Sequence, residues 1–388
     1  MINMPLSAHP PAVPSACRDR LRVRTTWSWR SGDGGDPADL LAQVLSEHGL
    51  ATGPFTDSHT PHDRSGALCG AALLVSAAAG AAMVGGSPGK PTPAPAIPDI
   101  AVVVYEHGEP TVRPPGPPGF SLGAWRPSWD RGEHAEAVRA VRAAIGRGDV
   151  YQVNLVGHTR ARYTGDPGEA LGRVATLPEA RYAGGLAGDG WAVASSSPER
   201  LVTVSAGRVT TGPIKGTRPA TQAGRAELLA SVKERAEHVM IVDLERNDLA
   251  HIARPGTIEV PELFGIRRWR GLWQAESTVT AELADGVDLA AVLRAVCPGG
   301  SVTGTPKLSA LDTIAALEPV GRGPSMGALG YLTAEGRLDL GLTIRTVAAD
   351  GEYLHLWAGG GITWRSDPDE EVAEAAAKAA PVKALLAG

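Results

Sequence analysis

Residues 211–219 read TGPIKGTRP, one lysine held between a Pro-Ile pair and a Gly-Thr-Arg-Pro turn. The stretch closes a run of short alternating segments, 191–196, 201–204 and 209–211, whose breaks at turn residues predict an antiparallel meander. Pro213 fixes the backbone on one side of Lys215, and Gly216 frees it on the other. A lysine in such a turn can be aimed, unlike one on a solvated helix. Taken alone, Lys215 reads as a surface charge, and anything more has to come from its neighbours along the chain.

Downstream, residues 225–252 predict one long helix, with Leu228, Val232, Ala236, Val239 and Met240 on an apolar arc at about 3.6 residues per turn. Glu234 and Glu237 lie on the opposite side, three apart and so neighbours on one face. Residues 337–347 and 353–357 predict strands joined by a hairpin at Asp350-Gly351, followed by Gly359-Gly360-Gly361. Asp367 caps a final helix, with Pro368 at its first position, Glu370 completing a capping box, and Glu371, Glu374 and Lys378 along it. Upstream, Asp130 and Glu133 predict a second capping box and a helix through Ile145 that stops at Gly146 and Gly148. The first 120 residues predict a helix over 36–47 and strands over 71–84 and 100–105, the second strand framed by Pro/Gly-rich loops at 86–98 and 114–119. The uncharged run 67–86 is Ala- and Gly-rich and predicts a buried strand-turn-strand in preference to a membrane span.

Composition narrows the function. The chain has 388 residues, 43% apolar and 20% charged, with a formal net charge of -5, which disfavours a general nucleic-acid binder. Cys17, Cys69 and Cys297 are too widely spaced for a disulfide framework or a metal knuckle, so a reducing cytoplasm is the expected setting. Residues 1–20 carry prolines and no basic start with an apolar run; they predict a flexible tail without an export signal.

Two carboxylate pairs on separate helices, Glu234/Glu237 and Glu371/Glu374, would suit Mg²⁺, a hard cation that takes oxygen ligands and shares a substrate anion. Spacing by itself favours two solvated helix faces, with Glu374 and Lys378 as an ordinary surface pair. The turns at Gly216-Thr217, Gly299-Gly300-Ser301 and Gly359-Gly360-Gly361 could offer N–H groups to an anion, although none is a Walker loop or a dinucleotide fingerprint. Arg345 sits in the strand-like LTIRT and calls for an acidic partner, either a protein carboxylate or a ligand.

TGPIKGTRP, AEHVMIVDLERNDLA, PGGSVTGTPK, GALGYL, LTIRT, AGGGI and SDPDEEVAE follow one another in the order and spacing of the chorismate-binding enzyme family, which the chain resembles strongly over residues 120–388. The resemblance implies an α/β (α+β) fold in which two antiparallel sheets form a β-sandwich core with helices outside. It divides the chain into an N-terminal lobe (21–120) and a chorismate-binding catalytic region (121–388). Glu237 and Glu374 would hold Mg²⁺ against the substrate's ring carboxylate, supported by Glu234 and Glu371. Gly216, Thr217, Gly360 and Gly361 would line the site, Tyr331, Arg345 and Lys378 would meet carboxylates, and Thr303 would lie near the ring. Glu199, in SSSPER, matches the family's acid/base residue.

Two positions separate the family's branches. Water-adding members carry a lysine base where this chain has Gln152, and an amide cannot deprotonate water. Anthranilate synthases carry alanine where this chain has Lys215; aminodeoxychorismate synthases carry lysine, as a covalent nucleophile, whose neutral form would need burial or nearby cations. Apart from these, the chain departs from the family pattern at Gln274, which stands where the family usually has histidine. The implied reaction makes 4-amino-4-deoxychorismate from chorismate and ammonia, with a separate glutaminase as ammonia donor and a separate lyase downstream. Anthranilate formation, an aminodeoxyisochorismate variant, and a non-catalytic chorismate-binding subunit stay open beside it.

Overall fold

The computed structural model describes residues 21–55, 66–109, 119–177, 180–269 and 271–387; residues 1–20, with the expected tail and Cys17, lie outside them. Two antiparallel sheets carry the architecture. The first runs in the order Leu21–Trp29, Ile100–His107, Leu68–Val75, Ala328–Thr333, Leu338–Leu342, Arg200–Ser205, Arg208–Gly212, Leu272–Glu282 and Ile214–Pro219, with Glu259–Trp269 also paired to Leu272–Glu282. The second runs Gly304–Thr305, Gln152–Thr164, Tyr353–Ile362, Thr346–Ala349, Trp191–Ser197 and Tyr182–Gly188.

The main core lies between the sheets. Leu73, Val102, Val202 and Leu340 from the first meet Leu186, Val193 and Trp357 from the second. Burying each such side chain contributes about 1.5–3 kcal/mol. Helices cover the outside: Pro368–Ala387 packs on Tyr353–Ile362 of the second sheet, and Val232–Ala250 packs against Leu272–Glu282 of the first. Among the described residues no helix is long and apolar enough to cross a membrane.

Several local expectations hold. Asp130 and Glu133 form a reciprocal capping box on Arg131–Arg147, which ends at Gly148 in the left-handed region. Asp36 caps Pro37–Glu47. Asp367 accepts from the N–H groups of Asp369 and Glu370 at the start of the last helix.

Others need correction. Trp191–Ser197 and Arg200–Ser205 are not neighbours in a meander; they belong to different sheets, and the chain crosses between them at Pro198-Glu199. The predicted strand 337–347 breaks in the same way. Leu338–Leu342 ends in the first sheet, Thr346–Ala349 begins in the second, and Arg345 lies in the crossing at φ +50. The two crossings are tied together: Ser196 donates its N–H and its hydroxyl to the Arg345 carbonyl (3.2 and 3.0 Å), and Leu342 N–H donates to the Glu199 carbonyl (3.1 Å). Glu199 and Arg345 are thereby held at one end of the sandwich.

Residues 71–84 form a strand and a helix, because Ser76 caps Ala77–Met83 through the Ala79 N–H and releases the alanines into a helical turn. The long helix over 225–252 is two helices, Gln222–Ala230 and Val232–Ala250, divided at Ser231, whose hydroxyl accepts from the Glu234 N–H. The second is also turned over relative to its apolar arc: Val232 and Val239 are exposed, while His238, Ile241, Leu244 and Asp248 are buried. The face carrying carboxylates points inward.

Candidate active site

At the end of the sandwich where the chain crosses twice, a cavity of ≈ 420 Å³ opens, within the range of small-molecule sites. Its floor is built by a register irregularity. Ile214 pairs with Glu276 and Thr217 with Gln274, so Lys215 and Gly216 together stand opposite Ala275. Such a bulge bends the strand and redirects a side chain. Gly216 takes φ +81, where a Cβ would lie 2.7 Å from Leu228 Cδ1 and 2.9 Å from Glu234 Cδ. Buried His238 pins the turn from beneath. Its Nε2 lies 3.0 Å from the Lys215 carbonyl, an acceptor only, so Nε2 carries the proton and Nδ1 accepts from Ser277 Oγ at 2.8 Å.

Around Lys215 the cavity wall brings together Glu199, Gly216, Thr217, Glu234, Glu237, Gln274, Arg345, Gly361, Glu371, Glu374 and Lys378 from the residues singled out in the sequence. Gly360 adjoins this set: a Cβ there would come within 3.1 Å of Glu371 Oε2 and 3.5 Å of Lys378 Nζ. Gln152 is buried behind the wall, its amide against the Cα of Gly361.

Two expected ligand contacts fall elsewhere. Tyr331 is 1% exposed, stacks on Tyr105 and donates its hydroxyl to Cys69 Sγ at 3.3 Å. Its strand alternation points it into the core of the first sheet. Thr303 is buried and turns its hydroxyl onto the Gly299 carbonyl at 2.8 Å, so Ser301 and Val302 line the cavity in its place. The sequence reading also missed Asn154, Lys233, Met326 and Trp357, all on the wall, and named Ser301 only as part of a glycine turn. Lys233 had a usable signal, since it directly precedes Glu234 on a helix whose carboxylate face is the inner one.

The electrostatics divide the carboxylates by role. Burial pushes Glu199 up, against the opposing pull of Lys215 and of hydrogen bonds from Ser301 and the Ile214 N–H. Glu199 is thereby biased toward the protonated acid. Glu237 is also pushed up, by burial first, with Lys215 opposing and Glu234 reinforcing. Burial works against ionisation of Glu374 too, but Lys378, Lys233 and Lys215 outweigh it and hold that carboxyl below its usual range. Lys378 Nζ pairs with Glu374 at 2.7 Å and donates to the Gly359 carbonyl at 2.9 Å. The charged groups acting with Lys215 include Glu199 and Glu237, carboxylates where the sequence reading had looked to cations.

Four glutamates from two helices on one cavity make an all-oxygen donor set, which suits a hard divalent cation. Gly360 leaves the space beside Glu371 and Glu374 open. Among the described residues no three acidic, histidine or cysteine side chains close into a ligand shell as they stand. Lys233 acts on all four glutamates and offsets part of their charge.

The wall also holds unspent polar atoms. Gln274 is 0% exposed with neither amide atom hydrogen-bonded, and Asn154 Oδ1 and Glu199 Oε1 are buried and unpartnered beside it. Each such group costs about 1–3 kcal/mol until something pairs with it. Their convergence on one cavity favours a ligand with several polar groups.

Comparison with known proteins agrees with this geometry. Residues 91–384 match the chorismate binding enzyme family. Over 257 residues the chain is 41% identical to aminodeoxychorismate synthase component 1 of Salmonella typhimurium, covering 65% of this chain and 57% of that protein. It is 40% identical over 263 residues to anthranilate synthase component 1 of Methanothermobacter thermautotrophicus, covering 66% and 56%. The chain thus matches somewhat more than half the length of these relatives. In fold it is similar to anthranilate synthase component I from Streptococcus pneumoniae, with a TM-score of 0.78 at 24% identity over 95% of this chain and 91% of that one. Because the family match runs over most of its length, residues 91–384, the chain belongs to the chorismate-binding enzyme family.

Proposed function

We propose that the protein is an aminodeoxychorismate synthase component I, a Mg²⁺-dependent enzyme that makes 4-amino-4-deoxychorismate from chorismate and ammonia supplied by a separate glutaminase. Identity alone does not choose the reaction, because relatives named for both amination products match about equally well. The observation that carries the reading is Lys215 on its bulge, sharing the cavity with Glu199. Gln152 supports it as well, since an amide at that position cannot activate water.

Glu234, Glu237, Glu371 and Glu374 would hold Mg²⁺, which when bound neutralises the substrate's ring carboxylate and fixes its orientation. Arg345 and Lys378 supply cationic partners for the substrate's carboxylates. The neutral amine of Lys215 attacks C2 of chorismate, both ring double bonds shift round the ring, and the C4–O bond breaks. Glu199 gives its proton to the departing hydroxyl, which leaves as water. Ammonia then adds at C4 as the bond from Lys215 to C2 breaks, and the proton it sheds returns to Glu199. Release of 4-aminobenzoate from the product falls to a separate lyase.

Lys215→Ala tests this directly. Turnover with chorismate, ammonium and Mg²⁺ should fall at least 10²-fold, while chorismate still binds in a Mg²⁺-dependent way by calorimetry. Unchanged turnover would remove the covalent role. Binding without turnover in the native chain, even at high ammonium, would instead favour a non-catalytic subunit.

A further inference from the structure

Helix Val232–Ala250 carries another carboxylate, partly buried, that the reaction as described does not use. Glu245 follows Glu234 by three helical turns on the same inward face. Thr211, at the end of the strand leading to Lys215, donates its hydroxyl to Glu245 Oε2. Both border a chamber of ≈ 10 Å³ directly behind the substrate cavity, with Arg200, Asp248 and Ser301. Ser301 forms part of both walls, and its hydroxyl hydrogen-bonds the Glu199 carboxyl. Glu199 lines the substrate cavity and Glu245 the chamber, with Ser301 shared between them.

The charges facing Glu245 leave it without a cation of its own. Lys307, from the Lys307–Leu317 helix, is committed to Asp248 at 2.9 Å and to the Ala295 carbonyl at 3.3 Å. Arg200 donates to the Tyr182 hydroxyl at 2.9 Å. What remains is Asp248 on its own helix and Glu199 across Ser301, both acidic. Burial, with Glu199 and Asp248 reinforcing and Thr211 and Lys307 opposing, pushes the Glu245 carboxyl up to about 8. Two carboxylates that act on each other resist being charged together.

We propose that Glu245 is a positioning residue for the acid step: as a neutral carboxylic acid it lets Glu199 carry the negative charge that proton donation leaves, and on ionising it withdraws that capacity. This rests on Glu199 being the acid. No bond to substrate is made or broken at Glu245.

The test is the pH profile of kcat for the native chain and for Glu245→Gln, which stays neutral at every pH and can still hydrogen-bond Thr211. Native kcat should decline above pH about 8. The variant should keep kcat at pH 7 within about threefold and exceed native about tenfold at pH 9. Thr211→Val removes a hydrogen bond that favours the charged form of Glu245, so it should move the same limb upward if Glu245→Gln does not fold. Superposable limbs, or a loss of kcat uniform over pH, would overturn the proposal. Glu199→Gln separates the two levels: full activity there would mean that Glu199 is not the acid, whatever Glu245 does.

Discussion

Arg322 and Glu318 form a buried pair on which two stretches of the cavity wall hang, and breaking it should be costly. Their side chains are 6% and 4% exposed. Arg322 holds both Glu318 oxygens, at 2.9 and 2.6 Å, and donates to the carbonyls of Val302 (2.6 Å) and Asn154 (2.7 Å). Glu318 in turn accepts from the Val156 N–H at 3.0 Å. Arg322→Met leaves a carboxylate buried with one N–H for company and frees two carbonyls. Removing one partner of a buried pair costs about 3–5 kcal/mol. At an unfolding entropy of about 2.1 cal/mol/K per residue, a chain of this length loses roughly 4–6 °C of Tm for that cost. Glu318→Leu with Arg322→Met removes the stranded charge, so the double variant should be more stable than Arg322→Met alone. Calorimetry and denaturant titration measure both, and chorismate affinity should fall in each because Asn154 and Val302 lose their anchors. A single variant within about 1 kcal/mol of native, or a double variant less stable than the single, would refute the reasoning.

Two further outcomes follow from local geometry. Gly216→Ala places a side chain at φ +81, a cost of about 1–2 kcal/mol, and drives its Cβ toward Leu228 and Glu234; kcat/KM should fall at least tenfold while the fold survives, and unchanged kinetics would show that the bulge does not aim Lys215. His158 accepts from Ser128 Oγ at 2.6 Å and meets His355 at 3.0 Å, which in turn reaches Asp350 at 3.1 Å. Burial, then His355 and Arg160, lower the His158 pKa from 6.5 to about 3. The unfolded chain takes up a proton below pH 6.5 that the native chain refuses, so this contribution to stability is lost as pH falls from 6.5 toward 3. The loss runs at about 1.4 kcal/mol per pH unit. His158→Gln should flatten the acid side of the stability profile by that slope, as read from denaturant midpoints between pH 4 and 7.

How much of this was legible in the chain depended on whether local and long-range demands agreed. The motif string identified most of the cavity wall, including Lys215, Glu199, Arg345 and the four glutamates, and the capping residues Asp36, Asp130 and Asp367 marked their helices, because those signals are local. The two sheet crossings were not legible. Alternation continues through residues 191–211 and 337–347, and which sheet each half joins is decided by partners far along the chain. Helix Val232–Ala250 misled for a physical reason: the face with His238, Asp248 and the half-buried glutamates turns inward, so an apolar arc at helical spacing points to solvent. Tyr331 was misassigned because its motif fixes a strand but not which face of the strand meets the ligand.

The identity of the product bears most directly on what this chain does. Native protein with chorismate, ammonium and Mg²⁺ should form 4-amino-4-deoxychorismate, detected by chromatography and mass spectrometry, with 4-aminobenzoate appearing only when a lyase is added. Anthranilate accumulating without the lyase would contradict the assignment.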